Sequence, residues 1–378
     1  MNTKIGSSLS SLSIATVLTL FACLLPVPAH SQQSISVSPL IWGAQLRLET
    51  EVSAGINPVI LGGSFGAAFG STPYLRRVDG VPFQAGQLDI EPIETSVTST
   101  YTGWNVDLSR ALLRNSRDES LVSVFFGYWG RLDNRFDESG ESSLFSAVPP
   151  PKDYQGQLLN SFRTGVEVGH VRTLDRAPLL EGADATATVE WAPAWLGNEV
   201  IGSADFMRFS AEARGFIPIS AGGGENEHQA IGVYGGAHII GDYTVGSNIP
   251  ILVRSSFGGR SGRSGLAGTV RGYESGRFDS VVKAATGAEL RIVGPALAAA
   301  RFTPGLVLYG DAGYYSGYEG SDPASEDDSG WIASTGAGLS LSFLETVTLV
   351  FYSNLVLAEE LLTGGRLNPF AVGFGYHF

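Results

Sequence analysis

Cysteine is nearly absent from this 378-residue chain, and its single occurrence, Cys23, lies in an apolar segment near the amino terminus. A disulfide framework is therefore excluded, and a chain of this length does not need one for stability. Long apolar runs are also missing. After residue 31, no stretch reaches the roughly 18 apolar residues that a membrane-spanning helix requires. A chain that crosses a membrane without such helices must form a closed β-barrel, because every backbone polar group has to be paired.

Basic residues are scarce as well. The chain has 24 lysines and arginines against 37 aspartates and glutamates, which gives a formal charge of −13. This balance argues against nucleic acid as a partner. Acidic, solvated surface loops account for the surplus of negative charge.

Motifs for catalysis or metal binding are missing too. Residues Gly62-Gly63-Ser64-Phe65-Gly66 have the spacing of a nucleophile elbow, but no helical period follows them. The acidic run of residues 322–328 lacks the spacing of a calcium loop. The histidines show no metal-ligand spacing with each other or with cysteine; they include His170, His228, His238 and His377. We therefore expect no enzymatic activity, no cofactor and no bound metal.

Residues 1–31 are predicted to be a signal peptide that is cleaved. Lys4 precedes a long apolar stretch from Ile14 to Pro28, and Ala29-His30-Ser31 then offers small residues at the positions that a signal peptidase reads. An alternative is a lipoprotein box at Leu20-Phe21-Ala22-Cys23, which Phe21 fits poorly. Residues 32–378 contain no linker or repeat array, and we interpret them as a single outer-membrane β-barrel domain.

The last ten residues alternate strictly between two kinds of side chain. One face is aromatic or aliphatic, and the other is small or polar, with Ala371, Gly373, Gly375 and His377. A barrel in lipid turns its apolar face outward. We therefore interpret this strand as the terminal strand of a bacterial outer-membrane barrel. Its apolar residues form the predicted signal for the insertion machinery of that membrane: Phe370, Val372, Phe374, Tyr376 and Phe378.

Strand-like runs fill the rest of the chain and are joined alternately by short turns and long loops. The tight turn at residues 115–118 and the long polar loop at residues 137–154 flank one such strand. Short turns on one side and long loops on the other are typical of outer-membrane barrels. The sequence predicts an all-β, antiparallel transmembrane barrel of about fourteen strands, with 12 and 16 open because residues 32–100 alternate weakly.

A second motif lies between two of these strands. It begins with Val270-Arg271-Gly272-Tyr273 and continues with Gly276, Arg277 and Asp279. The next strand contains Glu289-Leu290-Arg291, and the one after it contains Tyr309-Gly310-Asp311-Ala312-Gly313. These residues resemble the BamA/TamA superfamily of outer-membrane assembly and translocation barrels, the bacterial surface antigen type. The resemblance covers residues 204–378 and is thin before them.

The resemblance implies that the motif sits on a long extracellular loop that folds back into the barrel lumen. Alternation independently places Glu289 and Asp311 on the lumen side of their strands. We therefore expect Arg271 to pair with either carboxylate, for which a guanidinium offers bidentate geometry. The chain departs from the family in two respects. The barrel is expected to begin near Gln32, which leaves no room for the periplasmic POTRA domains of family members. An insertion, Arg260-Ser261-Gly262-Arg263-Ser264, also lengthens the loop ahead of the motif.

Two functions remain open at this stage. The first is assistance in outer-membrane protein assembly or polypeptide translocation, with substrates supplied by an unknown periplasmic partner. The second is a passive pore or structural surface protein that retains only the fold, since a fold alone does not settle function. Both place the chain in the outer membrane of a Gram-negative bacterium, in contact with its lipid and lipopolysaccharide.

Overall fold

The computed structural model describes most of the chain as one antiparallel sheet. The described residues are 33–40, 43–52, 59–76, 93–139, 156–173, 180–220, 231–254, 270–271, 280–295, 297, 302–316, 329–343, 347–357 and 367–376. The predicted signal peptide lies outside them and stays a prediction. Within the described residues, no helix is long and apolar enough to cross a membrane.

Fourteen strands are present in the described part of the chain, and each pairs with its neighbours in sequence. Their bounds are β1 (Gln33–Leu40), β2 (Gly43–Val52), β3 (Val59–Arg76), β4 (Ile93–Arg114), β5 (Ser120–Ser139), β6 (Gly156–Thr173), β7 (Leu180–Ala192), β8 (Asp205–Ser220), β9 (Gly232–Asn248), β10 (Val282–Val293), β11 (Phe302–Ser316), β12 (Ser329–Phe343), β13 (Val347–Val356) and β14 (Leu367–Tyr376). A 3-10 turn, Ala194–Leu196, and a one-turn helix α1, Ile251–Arg254, interrupt two of the connections.

The strand connections differ in length at the two ends of the sheet. One end carries residues 77–92, 140–155, 193–204, 249–281, 317–328 and 357–366, and also the short 41–42. The other end carries residues 53–58, 115–119, 174–179, 221–231, 294–301 and 344–346. In outer-membrane barrels the long loops are extracellular and the short turns periplasmic. The first end is therefore the extracellular one.

The two faces of the sheet have the polarity of a barrel in lipid. Large apolar residues on the outer face are exposed, such as Ile217 at 70% and Leu339 at 62% exposure. Charged side chains on the inner face are buried, such as Asp107 at 1% and Glu190 at 2%. A soluble protein shows the opposite distribution. The prediction of an all-β transmembrane barrel is confirmed, and the alternation predicted for β10 and β11 is the one observed.

Glycine on the inner face lets long side chains meet across an intervening strand. Gly336 of β12 lies between Tyr309 and Asn354 in register, and the Tyr309 hydroxyl donates to Asn354 over it. A Cβ on Gly336 would stand 2.5 Å from that hydroxyl. Gly62 similarly lies between its neighbours on β2 and β4, where a Cβ would stand 3.0 Å from both Arg47 and Asp107. The abundant glycine of the sequence thus makes room for polar contacts in the lumen.

Candidate functional site: an ion cluster in the lumen

The segment between β9 and β10 enters the lumen at residues 270 and 271. Both residues are buried, Val270 at 2% and Arg271 at 8% exposure. A Cβ on Gly313 of β11 would stand 2.8 Å from Val270 Cγ2, so this glycine provides the space in which Val270 packs. Residues 255–269 and 272–279 lie outside the described part of the chain, and the predictions for Gly272, Tyr273, Gly276, Arg277 and Asp279 fall there.

Arg271 binds two carboxylates from neighbouring strands. Its Nε donates to Asp311 Oδ2 at 2.7 Å and its Nη2 to Asp311 Oδ1 at 2.8 Å, which is a bidentate pair. Its backbone N–H donates to Asp311 Oδ2 at 3.1 Å. The remaining guanidinium nitrogen, Nη1, donates to Glu289 Oε2 at 3.0 Å. Asp311 thus binds both the backbone and the side chain of one residue, which fixes that residue relative to the barrel wall.

Glu289 connects this arginine to a second one. Its Oε1 is 2.5 Å from Arg291 Nε, and Arg291 Nη1 donates to the Tyr234 hydroxyl at 3.0 Å. Together with Asp311 and Arg271, the cluster contains two cations and two anions, so its formal charge is zero. Charge balance matters because an unpaired buried charge is strongly destabilising, whereas a paired one is tolerated.

Two tyrosines complete the surroundings of the guanidinium. Arg271 Cζ lies 3.6 Å from the Tyr309 ring centroid and 5.6 Å from the Tyr352 ring centroid. The two rings meet edge to face with centroids 5.7 Å apart. Stacking of a guanidinium on an aromatic face adds to the ion pairs, and more so where water is excluded.

Gly287 of β10 separates His238 from Asp311. The three residues lie opposite one another in register on β9, β10 and β11. A Cβ on Gly287 would stand 2.4 Å from Asp311 Oδ1 and 2.6 Å from His238 Cε1. The glycine therefore leaves the space that the Asp311 carboxylate and the imidazole occupy.

A second ion cluster occupies the wall formed by β6, β7 and β8. Glu190 accepts from Ser161 Oγ at 2.7 Å and Arg163 Nε at 3.0 Å through Oε1, and from Arg208 Nε at 3.0 Å through Oε2. Arg163 also lies over the Trp129 ring, 5.1 Å from its centroid. This cluster joins three strands in the same manner as the Arg271 cluster joins a loop to the wall.

The residues of α1, which precede the Arg271 segment, also contact the barrel wall. Lys283 of β10 donates through Nζ to the carbonyls of Val253 at 3.1 Å and Arg254 at 2.6 Å. These carbonyls are at the carboxyl end of α1, where a cation is favourable. The Ser280 N–H donates to the Arg254 carbonyl at 3.2 Å. Arg254 and Ser280, which lie before and after the Arg271 segment in the chain, are therefore adjacent in space.

The sequence motif brought together Arg271, Glu289 and Asp311, and these side chains are in contact here. It did not single out Tyr309, Tyr352, Asn354 or Arg291 as neighbours of Arg271. Two signals in the sequence were available. Alternation points these side chains toward the lumen, and glycines lie between them on the intervening strands. The backbone of β14 pairs with β13 from Val347 opposite Tyr376 to Leu355 opposite Leu367. Phe378 and the side chains of the other terminal-signal residues lie outside the described residues, so that signal remains a prediction.

Comparison with known proteins agrees with this geometry. Residues 179–342 match the Omp85 superfamily domain. The fold is similar to BamA from Haemophilus ducreyi lacking POTRA domains 1–3, with a TM-score of 0.54 and 13% identity over 91% of this chain and 64% of that chain. It is also similar to CdiB from Escherichia coli, with a TM-score of 0.51 and 15% identity over 88% of this chain and 52% of that chain. No curated protein matches the chain in sequence.

The chain is a β-barrel of the Gram-negative outer membrane. The resemblance to the BamA/TamA superfamily that the Arg271 motif predicted is confirmed, and the matched segment contains Arg271, Glu289 and Asp311. The chain spans less than two thirds of the length of either solved structure.

Proposed function

We propose that this barrel assists the assembly of outer-membrane proteins or the translocation of polypeptides. The observation that carries the proposal is the Arg271 cluster within the Omp85-like segment. An extracellular connection is held inside the lumen by the side chain and the backbone of one arginine. A lumen that served only passive diffusion would not need this specific contact of Arg271. Any loop of similar bulk would narrow the channel equally well.

The chemistry of the cluster suits a contact that is stable but reversible. Each ion pair joins groups that water can solvate when they separate, and the lumen is polar over much of its wall. The substrate class that follows from the family resemblance is an unfolded polypeptide, supplied by a separate periplasmic partner. The proposal needs no enzymatic step.

A folding assay tests the proposal. The purified barrel is placed in phosphatidylcholine vesicles, and a urea-unfolded outer-membrane protein is diluted into them. Heat-modifiable gel migration then follows the folded fraction with time. We expect faster folding than in empty vesicles, and a changed rate with Arg271→Ala. Arg172→Ala is the matched control, because Arg172 pairs with Glu181 in a half-exposed contact at the periplasmic end.

The same vesicles test the passive-pore interpretation. Efflux of a small trapped solute without any acceleration of folding would contradict the proposed function and support a pore. In the source bacterium, deletion of the gene should lower the abundance of particular outer-membrane or secreted proteins. A normal proteome with altered solute permeability would likewise contradict the proposed function and support a pore.

A further inference from the structure

The extracellular connection between β7 and β8 is unusually apolar. Residues 193–204 read Pro-Ala-Trp-Leu-Gly-Asn-Glu-Val-Ile-Gly-Ser-Ala, and Glu199 is their only charged residue. Trp195 is 68% exposed and Val200 is 74% exposed. By contrast, residues 317–328 at the same end contain Glu319, Asp322, Glu326, Asp327 and Asp328. One loop has the composition of a water-facing loop, and the other does not.

This connection is held rigidly against the edge of β6. Asn198 is fully buried, and its side-chain amide accepts from the Asn160 N–H at 2.6 Å and donates to the Asn160 carbonyl at 2.9 Å. A paired strand residue would make the same two bonds with its backbone. The Leu158 N–H further donates to the Ile201 carbonyl at 2.9 Å. The loop therefore continues the wall beyond the end of β7.

The exposed apolar residues of the loop are continuous with the lipid-facing surface. Trp195 lies 5.8 Å from Trp191 and 6.4 Å from Phe162 between ring centroids. Phe162 in turn stacks on Phe126 at 6.1 Å. Trp191, Phe162 and Phe126 are on the outer face of β7, β6 and β5, which contacts lipid in a barrel of this kind.

We propose that the β7–β8 connection is a membrane anchor that binds the lipid of the outer leaflet. Trp195, Val200 and Ile201 lie among the upper acyl chains, and Glu199 faces the headgroups. Tryptophan favours this boundary because its ring is apolar and its N–H is polar. An apolar patch of this size facing water would favour association, which continuity with the lipid surface removes.

Lipid is preferred over a protein partner because the patch extends a surface that already contacts lipid. A docking site for a protein would be set apart from that surface by a polar rim. The proposal concerns the outer surface of the barrel and is independent of the function proposed for the lumen.

Depth-dependent quenching tests the anchor. Single cysteines are placed by Trp195→Cys, Val200→Cys and Glu199→Cys in the chain without its predicted signal peptide, which contains Cys23. Each is labelled with a fluorophore in phosphatidylcholine vesicles whose acyl chains carry nitroxide near the carbonyl or near the chain end. Phe126→Cys on the lipid-facing wall and Asp118→Cys in a periplasmic turn are the lipid and water references. Heat-modifiable migration confirms that each variant is folded.

We expect labels at positions 195 and 200 to be quenched by the shallow nitroxide and shielded several-fold from aqueous iodide relative to position 118. The label at position 199 should remain open to iodide. Iodide access at positions 195 and 200 equal to that at position 118 would overturn the proposal. Shielding in whole cell envelopes but not in vesicles that contain lipopolysaccharide would also overturn it, since a protein would then cover the loop.

Discussion

The guanidinium carbon of Arg271 lies 3.6 Å from the centre of the Tyr309 ring, and the hydroxyl of that tyrosine donates to Asn354. Tyr309 therefore has two separable roles, one through its ring and one through its hydroxyl. The ring stabilises a buried cation, and the hydroxyl fixes the ring across the glycine of the intervening strand. Substitutions at this one position can distinguish the two contributions.

Tyr309→Phe should keep the ring contact and remove the hydrogen bond to Asn354. Loss of that bond should lower the free energy of unfolding by about 1–3 kcal/mol, because a buried acceptor is left without its donor. Tyr309→Leu should cost about 0.5–2 kcal/mol more, through the lost cation–π contact. Urea unfolding in vesicles measures both. Equal losses for the two variants would show that the ring does not stabilise Arg271.

Gly287→Ala should weaken the contact between Arg271 and Asp311 while both charged residues are retained in the sequence. The added Cβ would stand 2.4 Å from Asp311 Oδ1, which is too close, so the carboxylate has to move. Overpacking of this kind typically costs about 1–3 kcal/mol. Digestion of intact cells with added protease should cleave the β9–β10 connection faster in the variant.

Gly310→Ala is the matched control for this substitution. Gly310 adjoins Asp311 on the same strand, and a Cβ there meets nothing within 4 Å. The control should leave protease cleavage unchanged. Equal sensitivity of the two variants would mean that a general loss of strand flexibility, and not displacement of Asp311, is responsible.

The fold was largely predictable from the sequence because alternate residues of a barrel strand face the lumen and the lipid, and the two sets differ in polarity. Odd-numbered residues of β10 and β11 face inward from Lys283 to Glu289 and from Thr303 to Asp311, as their polarity indicated. A loop provides no such pattern. The burial of Arg271 could be expected only from the family motif, since a lone arginine in a loop is ordinarily solvated.

The tyrosine and glycine contacts were not predictable in the same way. Tyr309 meets Asn354 only because β12 places Gly336 between them in register. Register depends on the pairing of β11, β12 and β13. It is not visible in the local alternation of a single strand. The same reason explains why the side-chain bridge between Asn198 and Asn160 was not expected.

The periplasmic turn between β4 and β5 should respond to acid. The Asn115 side-chain amide donates to Glu119 Oε2 at 2.6 Å and holds the pKa of Glu119 below its ordinary value of 4.5, and the nearby charge of His170 lowers the pKa further. A lowered folded-state pKa stabilises the turn above pH 4.5, and this stabilisation is lost as pH falls through the folded-state value. Amide hydrogen exchange in residues 115–119 should thus be better protected at pH 5.5 than at pH 3.

Asn115→Ala should return the pKa of Glu119 toward its ordinary value, which carboxyl NMR titration measures. Glu119→Gln provides the control, because the amide retains an acceptor but does not titrate. Its exchange should show no loss of protection between pH 5.5 and pH 3. A step of the same size in both proteins would assign the transition to another group.

Removal of Arg271 should be more harmful than removal of Arg271 together with one of its carboxylates. Arg271→Met leaves Asp311 and Glu289 with Arg291 as their only cation in the cluster, and breaking a buried pair in this way costs about 3–5 kcal/mol. Adding Asp311→Asn restores zero charge, so the double variant should recover about 0.5–3 kcal/mol relative to the sum of the singles. Unfolding in urea and single-channel conductance give the two readouts, with the largest conductance expected for Arg271→Met.

The same cycle on Arg172 and Glu181, whose side chains are more than a third exposed, should show a coupling of only about 0–1 kcal/mol. If the two cycles gave equal couplings, the Arg271 cluster would be no stronger than a surface pair, and it could not hold the β9–β10 connection inside the lumen.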